Sequence, residues 1–200
     1  MTASGVCIGI DLGTTHTVLA RAEGGAPAEI VPLEQLVAAG EIEARSLLAS
    51  ALFAPPAGET VADPWGDAPW IVGALAKERG QKVPGRLVAS PKSWLCHGAI
   101  DRLAPVLPWG AAEDPTLPRV SPVEASRRIL DHARRAHDAA FPGSPLAAAE
   151  VVLTVPASFD EVARELTVRA AAEAGLAVRL LEEPLASFHD YLGEIGRAHV

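Results

Sequence analysis

The chain has 200 residues, of which 49% are hydrophobic and 21% are charged, and its formal net charge is −8. This composition allows one buried core and argues against wholesale disorder. The negative charge balance argues against a nucleic-acid-binding protein, because a phosphate backbone demands clustered lysines and arginines.

The two cysteines, Cys7 and Cys96, lie far apart and show no CxxC spacing. A disulfide scaffold is therefore not expected, and a reducing cytoplasm is the predicted location. Cys7 falls within an apolar run, which predicts a small buried side chain. Residues 1–5 lack the basic and apolar regions of a signal peptide, and no apolar stretch approaches the roughly 18 residues of a membrane span. We expect no membrane partner.

The chain opens with a predicted β-hairpin. Residues 6–11 form a short apolar run that ends in a charge, and a second short run at 17–21 follows a Gly-Thr turn. Two such runs joined by a tight turn are typical of antiparallel strands. Residues 28–31, after two glycines, are predicted to add a third antiparallel strand.

The composition changes from about residue 46 to residue 119, where prolines crowd the sequence: Pro55, Pro56, Pro64, Pro69, Pro105, Pro108, Pro115 and Pro118. We predict an inserted, loop-rich subdomain over 46–119. Its neighbours, 1–45 and 120–193, are predicted to form one core subdomain. Within the insertion, residues 70–73 resemble the end of a strand and residues 74–79 a short helix.

A helix start is clearly marked at Ser121. Serine at the N-cap, Pro122 at the first helical position and Glu124 at the third predict a capping box. The helix that follows carries apolar residues on one side. Its four arginines are predicted to form a solvated face: Arg127, Arg128, Arg134 and Arg135.

The last third of the chain predicts a strand–helix–strand unit. Residues 151–155 are a β-branched run, typical of a strand buried on both faces. Ser158 and Glu161 predict the start of a helix that Gly175 closes. A further strand and a further helix are predicted at 177–181 and 185–192. A parallel crossover of this kind, after an antiparallel hairpin, predicts an α/β fold with a mixed sheet and flanking helices.

The sharpest chemical signal is the turn GIDLGTT at residues 9–15. The successive amides of Gly13, Thr14 and Thr15 can form an anion-binding nest, and the two hydroxyls add donors. Asp11, at the strand end facing this turn, can hold Mg²⁺ through its waters. A plain hairpin with a glycine turn and a capping aspartate explains the same residues equally well.

The stretch IGIDLGTT resembles the first phosphate loop of the actin-like ATPases, particularly the DnaK-type heat-shock protein 70 family. A second stretch, 151–192, is similar to that family's valine-rich strand, TVPA turn, arginine-bearing helix and following helix start, in the same order. Sugar kinases share the first loop but not this second block. The resemblance covers 6–22 and 120–192 well and the intervening lobe weakly. It implies an actin-like (ribonuclease H-like) fold, of which this chain holds the first lobe.

The resemblance also implies ATP or ADP with Mg²⁺ as ligands. Asp11 would order the waters of the metal, while Gly13, Thr14 and Thr15 would contact the phosphates. Lys92 lies in a segment similar to the family's FxxKRLIG and would place the attacking water at the γ-phosphate. These groups suit phosphoryl transfer, which depends mostly on positioning and electrostatics. An exposed surface lysine is the alternative for Lys92.

Three further residues take implied roles. Glu183 matches the family's carboxylate near the metal and the water, and Pro156 and Arg164 match the pair that relays the nucleotide state. Three departures from the family pattern, His16, Glu182 and Leu185, indicate a divergent branch.

No second phosphate loop of the DLGGGT kind, no adenosine-binding segment and no peptide-binding domain is recognisable. We therefore expect a truncated nucleotide-binding domain that is inactive alone, and an ATPase in the full-length protein that binds unfolded clients and co-chaperones. Residues 194–200 break the pattern and are predicted to be a non-native tail, with a divergent native tail as the alternative. Two other hypotheses are another actin-like ATPase (a small-molecule kinase or filament protein) and a non-catalytic interaction module on the same scaffold.

Overall fold

The computed structural model describes residues 5–111 and 114–198, and its description of side chains ends at residue 192. The strands are β1 (Val6–Leu12), β2 (His16–Glu23), β3 (Glu29–Ile30), β4 (Leu33–Ala38), β5 (Glu41–Arg45), β6 (Leu48–Ala49), β7 (Ala51–Phe53), β8 (Ile71–Val72), β9 (Leu87–Ala89), β10 (Glu150–Val155) and β11 (Val178–Glu182). The helices are α1 (Ala74–Lys82), α2 (Pro91–Leu95), α3 (Pro122–Ala140), α4 (Glu161–Glu173) and α5 (Glu183–Ala198). Residues 1–4, which bear on the signal-peptide prediction, and residues 199–200 of the predicted tail lie outside the described residues.

The central feature is a six-stranded mixed sheet in the order β11-β10-β1-β2-β3, with β6 also paired to β2. Strands β1 and β2 form the predicted antiparallel hairpin, and β10 and β11 lie parallel to β1. Helix α4 connects the two parallel strands. The predicted mixed α/β sheet with flanking helices is therefore confirmed.

Strand β1 alternates between a buried face and an open one, as the pleat of a strand requires. Its core-facing residues are Val6, Ile8, Ile10 and Leu12. Cys7 lies on the opposite face with Asp11 and is exposed, so the predicted burial of Cys7 is wrong. The same alternation corrects the prediction for β10: Val152 and Thr154 are only half-buried, so this strand is fully covered on one face alone.

Helix α5 covers part of this open face. Ala186 of α5, with Gly9 and Val152 of the sheet, lines an apolar groove of about 250 Å³. The helix also exposes a set of large apolar side chains: Leu185, Phe188, Tyr191 and Leu192. Among the described residues, no helix is both long enough and apolar enough to cross a lipid bilayer.

Helix α3 begins where the sequence predicts. The Ser121 hydroxyl accepts a hydrogen bond from the Glu124 amide (3.0 Å), and Pro122 occupies the first turn. The Glu124 carboxylate, however, accepts hydrogen bonds from Arg127, with Oε2 2.6 Å from Nε. The side-chain half of the predicted capping box is therefore replaced by an ion pair within the helix.

The arginines of α3 do not form a solvated face, and that prediction is wrong. Their side chains are between 15% and 35% exposed. Arg128 donates to the backbone oxygen of Asp67 (2.8 Å), and Arg135 donates to the Asp67 carboxylate (2.9 Å). Burial raises the pKa of Asp67, but the neighbouring arginines, Arg135 first, outweigh burial and hold this pKa below its usual range. Arg127, Arg128 and Arg135 thus hold α3 against the loop after β7, which contains Asp67.

Helix α4 begins later than predicted. Its N-cap is Asp160, whose carboxylate accepts from the Ala163 amide (2.7 Å), and not Ser158. The reason is a turn after β10, in which the Phe159 amide donates to the Pro156 oxygen (3.1 Å) before the helix starts. Gly175 ends α4 as predicted, in a left-handed conformation with φ of 81°.

The middle of the chain has more regular structure than its prolines suggest. Strands β7, β8 and β9 form a small antiparallel sheet, and β4 and β5 form a hairpin that the sequence did not predict. A second apolar cluster joins this sheet to α1: Leu36, Ala51, Phe53, Ile71, Leu75 and Ala76. The predicted division into subdomains 1–45 with 120–193 and 46–119 stays a prediction.

Two buried histidines of α3 should make stability depend on pH. His132 and His137 are fully buried, and burial lowers the pKa of both below the ordinary value. Both therefore bind fewer protons in the folded state than in the unfolded state, so the free energy of unfolding rises with pH. This contribution is complete above the ordinary histidine pKa of about 6.5 and is lost as the pH falls below it.

Urea unfolding at about pH 7.5 and about pH 5.5 tests this, because carboxyl groups with a lowered pKa, such as Asp67, titrate below this window. His137→Gln should show a smaller loss of stability on acidification than the wild-type chain. Equal losses in the two proteins would show that His137 does not contribute.

Candidate functional site

The turn between β1 and β2 is closely packed on one side and open on the other. A Cβ atom at Gly13 would lie 2.4 Å from the backbone oxygen of His16, which is too close for any side chain. Thr14 and Thr15 are exposed. Glycine is needed here because the chain folds back on itself, and the two threonines remain accessible to a ligand.

Lys92 lies in the first turn of α2 and is only 5% exposed. Its ammonium Nζ donates to Glu183 Oε1 at 2.5 Å and lies 3.9 Å from Asp11 Oδ1. Burying an ammonium group is unfavourable unless it is paired with opposite charge, and these two carboxylates provide that charge. The structure therefore brings together the three residues that the family resemblance marks as catalytic, from α2, α5 and the end of β1.

Asp11 is held by a second contact. The Thr154 hydroxyl donates to Asp11 Oδ1 at 2.9 Å, and the two residues are direct neighbours in the parallel register of β1 and β10. The Asp11 side chain is 53% exposed. A carboxylate has about four lone-pair positions, so Asp11 can accept further hydrogen bonds on its open side.

Arg164 of α4 reaches the strand end beside Glu183. Its Nη2 donates to Glu182 Oε1 (2.7 Å), and its Nε donates to the Phe159 oxygen (3.2 Å). Pro156 is linked to this arginine through the turn in which Phe159 participates. The structure thus connects the two predicted coupling residues indirectly, and connects Arg164 to the residue next to Glu183.

Two cavities flank the turn, and Lys77 of α1 lines both. One, of about 160 Å³, also contains Thr14, Thr15 and Ser90 in its wall. The other, of about 520 Å³, is lined by His16 and Arg45 among others. Burial and the nearby charge of Lys77 lower the pKa of His16. The surroundings of Thr14 and Thr15 thus include Lys77, a cation that was not among the predicted site residues.

Two further residues of the site were not predicted from the sequence: Thr154, which contacts Asp11, and Ser50, which contacts Gly13. The position of Thr154 could have been inferred, because a threonine alternating with apolar residues in β10 faces the same side as Asp11. Ser50 lies 37 residues from Gly13 in a segment without a motif, and no local signal identifies it.

Comparison with known proteins adds independent information. No protein-family model matches the chain. The chain is similar to the chaperone protein HscA homolog of Methylococcus capsulatus (35% identity over 191 residues, 91% of this chain and 27% of the relative). It is also similar to the HscA homolog of Azotobacter vinelandii (34% over 193 residues, 91% and 28%) and to chaperone protein HscA of Pectobacterium carotovorum (31% over 206 residues, 98% and 30%). The chain spans under a third of the length of these curated relatives.

The close approach at Gly13 generates a prediction for the turn. Gly13→Ala should lower the free energy of unfolding by about 1–3 kcal/mol, because the new methyl group collides with backbone rather than with a movable side chain. Gly9→Ala is the matched control in the same hairpin, since nothing lies within 4 Å of its Cβ position. Urea denaturation of both variants decides the point, and equal stabilities would contradict the close packing of the turn.

Proposed function

Because the chain belongs to the heat-shock protein 70 family, we propose that it forms part of an ATP-binding domain with the actin-like fold. In the protein encoded by the whole reading frame, this domain binds ATP or ADP with Mg²⁺. It hydrolyses ATP and thereby drives the conformational change that governs client binding. The chaperone names of the relatives support this role over the small-molecule kinase and filament alternatives. A cytoplasmic location is part of the proposal.

The observation that carries the proposal is the charge cluster of Lys92, Glu183 and Asp11 beside the Gly13–Thr15 turn. A buried ammonium on a short helix, fixed by Glu183 at 2.5 Å, is a preorganised positive charge. Such groups contribute most where negative charge develops during a reaction, because they need no reorganisation. A terminal phosphate at this turn would be within the field of Lys92.

The residues present fit the ligands that the family implies. Mg²⁺ usually keeps several waters and takes one or two carboxylates, and Asp11 offers a half-exposed carboxylate with lone pairs to spare. When bound, the metal would offset the charge of the phosphates. The exposed hydroxyls of Thr14 and Thr15 would donate to phosphate oxygens. Within the described residues, no group of three or more His, Cys, Asp or Glu side chains is placed to hold a metal directly.

Each residue of the cluster would have a separate task. Lys92 would attract the terminal phosphate and the attacking water, and stabilise the negative charge that grows on the phosphate oxygens. Glu183 would keep the ammonium in position with Oε1 and accept a hydrogen bond from that water with its other oxygen. Thr154, by donating to Asp11, would hold that carboxylate in one orientation.

The link from Arg164 to Glu182 supports a relay to the rest of the protein. A change in the contacts of Glu183 would move the neighbouring Glu182, whose carboxylate binds Arg164 at 2.7 Å. Arg164 in turn contacts the turn that contains Pro156 through Phe159. We therefore keep Pro156 and Arg164 as the proposed coupling pair. Clients and co-chaperones are the proposed partners.

The sharpest test of this function is Lys92→Ala in the protein encoded by the whole reading frame. Single-turnover ATP hydrolysis should slow by ~10²–10³, because one preorganised charge is lost at the reacting phosphate. The Kd for Mg-ATP should change by less than about tenfold, because most binding contacts remain. Lys82→Ala is the matched control, since this lysine also pairs with a glutamate but lies exposed on α1.

Wild-type turnover in Lys92→Ala would remove Lys92 from the site. A wild-type protein that binds Mg-ATP without hydrolysing it would instead favour the non-catalytic interaction module.

Asp11→Asn should weaken both binding and turnover, because the carboxylate is the proposed partner of the hydrated metal.

A further inference from the structure

Ser50 lies between β6 and β7 and is 2% exposed. Four hydrogen bonds connect it to two separate segments, the β1–β2 hairpin and the start of α2. Its amide donates to the Thr15 oxygen (3.0 Å), and its own backbone oxygen accepts from the Ser90 amide (3.3 Å). Its hydroxyl donates to the Gly13 oxygen (2.7 Å) and lies 3.0 Å from the Thr17 hydroxyl.

The directions of the two side-chain bonds follow from the number of protons. The Gly13 carbonyl can only accept, so the single proton of the Ser50 hydroxyl points to Gly13. The Thr17 hydroxyl, which is fully buried, must then donate to Ser50 Oγ. Removing the Ser50 hydroxyl therefore leaves one partly buried acceptor, at Gly13, and one buried donor, at Thr17, without their partner at the two ends of the phosphate-binding turn.

The other end of this network reaches the helix of Lys92. Ser90 is the N-cap of α2 and has φ of 53° and ψ of 49°, a left-handed conformation that is unfavourable for residues other than glycine. A residue in such a conformation persists only where its surroundings hold it. The backbone oxygen of Ser50 supplies one of those restraints by accepting a hydrogen bond from the Ser90 amide. Ser90 lies two residues before Lys92.

We propose that Ser50 is a positioning residue that sets the phosphate-binding turn and the Lys92 helix relative to each other. One residue fixes Gly13 and Thr15 on one side and Ser90 on the other. Together Thr15, Ser50 and Ser90 line the same cavity of about 160 Å³. Ser50 acts through these neighbours and does not touch the nucleotide phosphates itself. Its effect on turnover rests on the proposed function, whereas its effect on the geometry of the two segments does not.

The test compares Ser50→Ala with Ser126→Ala in the protein encoded by the whole reading frame. Ser126 is a matched control because its hydroxyl is equally buried and donates to the Pro122 oxygen within α3, away from the turn. Ser50→Ala should lower the single-turnover rate of ATP hydrolysis by at least roughly tenfold, since a small misplacement of reacting groups is costly. Its Kd for Mg-ATP should change much less. Ser126→Ala should match the wild-type protein in both quantities.

A second measurement needs no nucleotide. Hydrogen–deuterium exchange of peptides covering 11–17 and 88–95 should be roughly tenfold faster in Ser50→Ala, in both segments, and unchanged in Ser126→Ala. Wild-type turnover in Ser50→Ala would overturn the proposal. Faster exchange in only one of the two segments, or in neither, would also overturn it. If the wild-type protein does not hydrolyse ATP, the proposed function fails while exchange still decides the role of Ser50.

Ser50→Cys serves if the alanine variant does not fold. A thiol is a weaker donor than a hydroxyl, so this variant should lie between wild type and Ser50→Ala in turnover and in exchange. Wild-type values for the cysteine variant in both measurements would count against a positioning role.

Discussion

The buried ammonium of Lys92 is the constraint around which the site is organised. A cation cannot be removed from water without a partner at an acceptable free energy, so α2 must lie where carboxylates can reach its lysine. Glu183 and Asp11 reach it from two different elements. The pairing holds the first turn of α2, the start of α5 and the end of β1 at one point. Because both carboxylates are about half exposed, the cluster of Lys92, Glu183 and Asp11 can also bind a ligand that enters from solvent.

The parts of the fold that depend on local sequence were predictable. Two short apolar runs joined by a Gly-Thr turn predicted β1 and β2, and the Ser121 and Gly175 signals predicted the start of α3 and the end of α4. The anion-binding role of the glycine-threonine turn could also be predicted from local sequence. Its successive amides and hydroxyls come from neighbouring residues of one tight turn. Lys92 needed more: its assignment came from the order of family-like segments, because nothing in its immediate neighbours distinguishes it from a surface lysine.

The features that sequence reasoning missed or misjudged depend on distant partners. Whether Cys7 is buried depends on what covers the second face of the sheet, which a run of apolar residues does not reveal. The arginines of α3 look like a solvated face until the loop containing Asp67 folds against them. Ser50 illustrates the limit best, because a serine in an unremarkable segment gains its importance only when Gly13, Thr17 and Ser90 meet around it.

The turn after β1, helix α2 and the start of α5 are proposed to form a single nucleotide site. Hydrogen–deuterium exchange of the protein encoded by the whole reading frame, with and without Mg-ATP, tests whether they do. We expect Mg-ATP to slow exchange together in peptides covering residues 11–17, 90–95 and the first turn of α5. Protection elsewhere, with these three segments unchanged, would contradict this proposal.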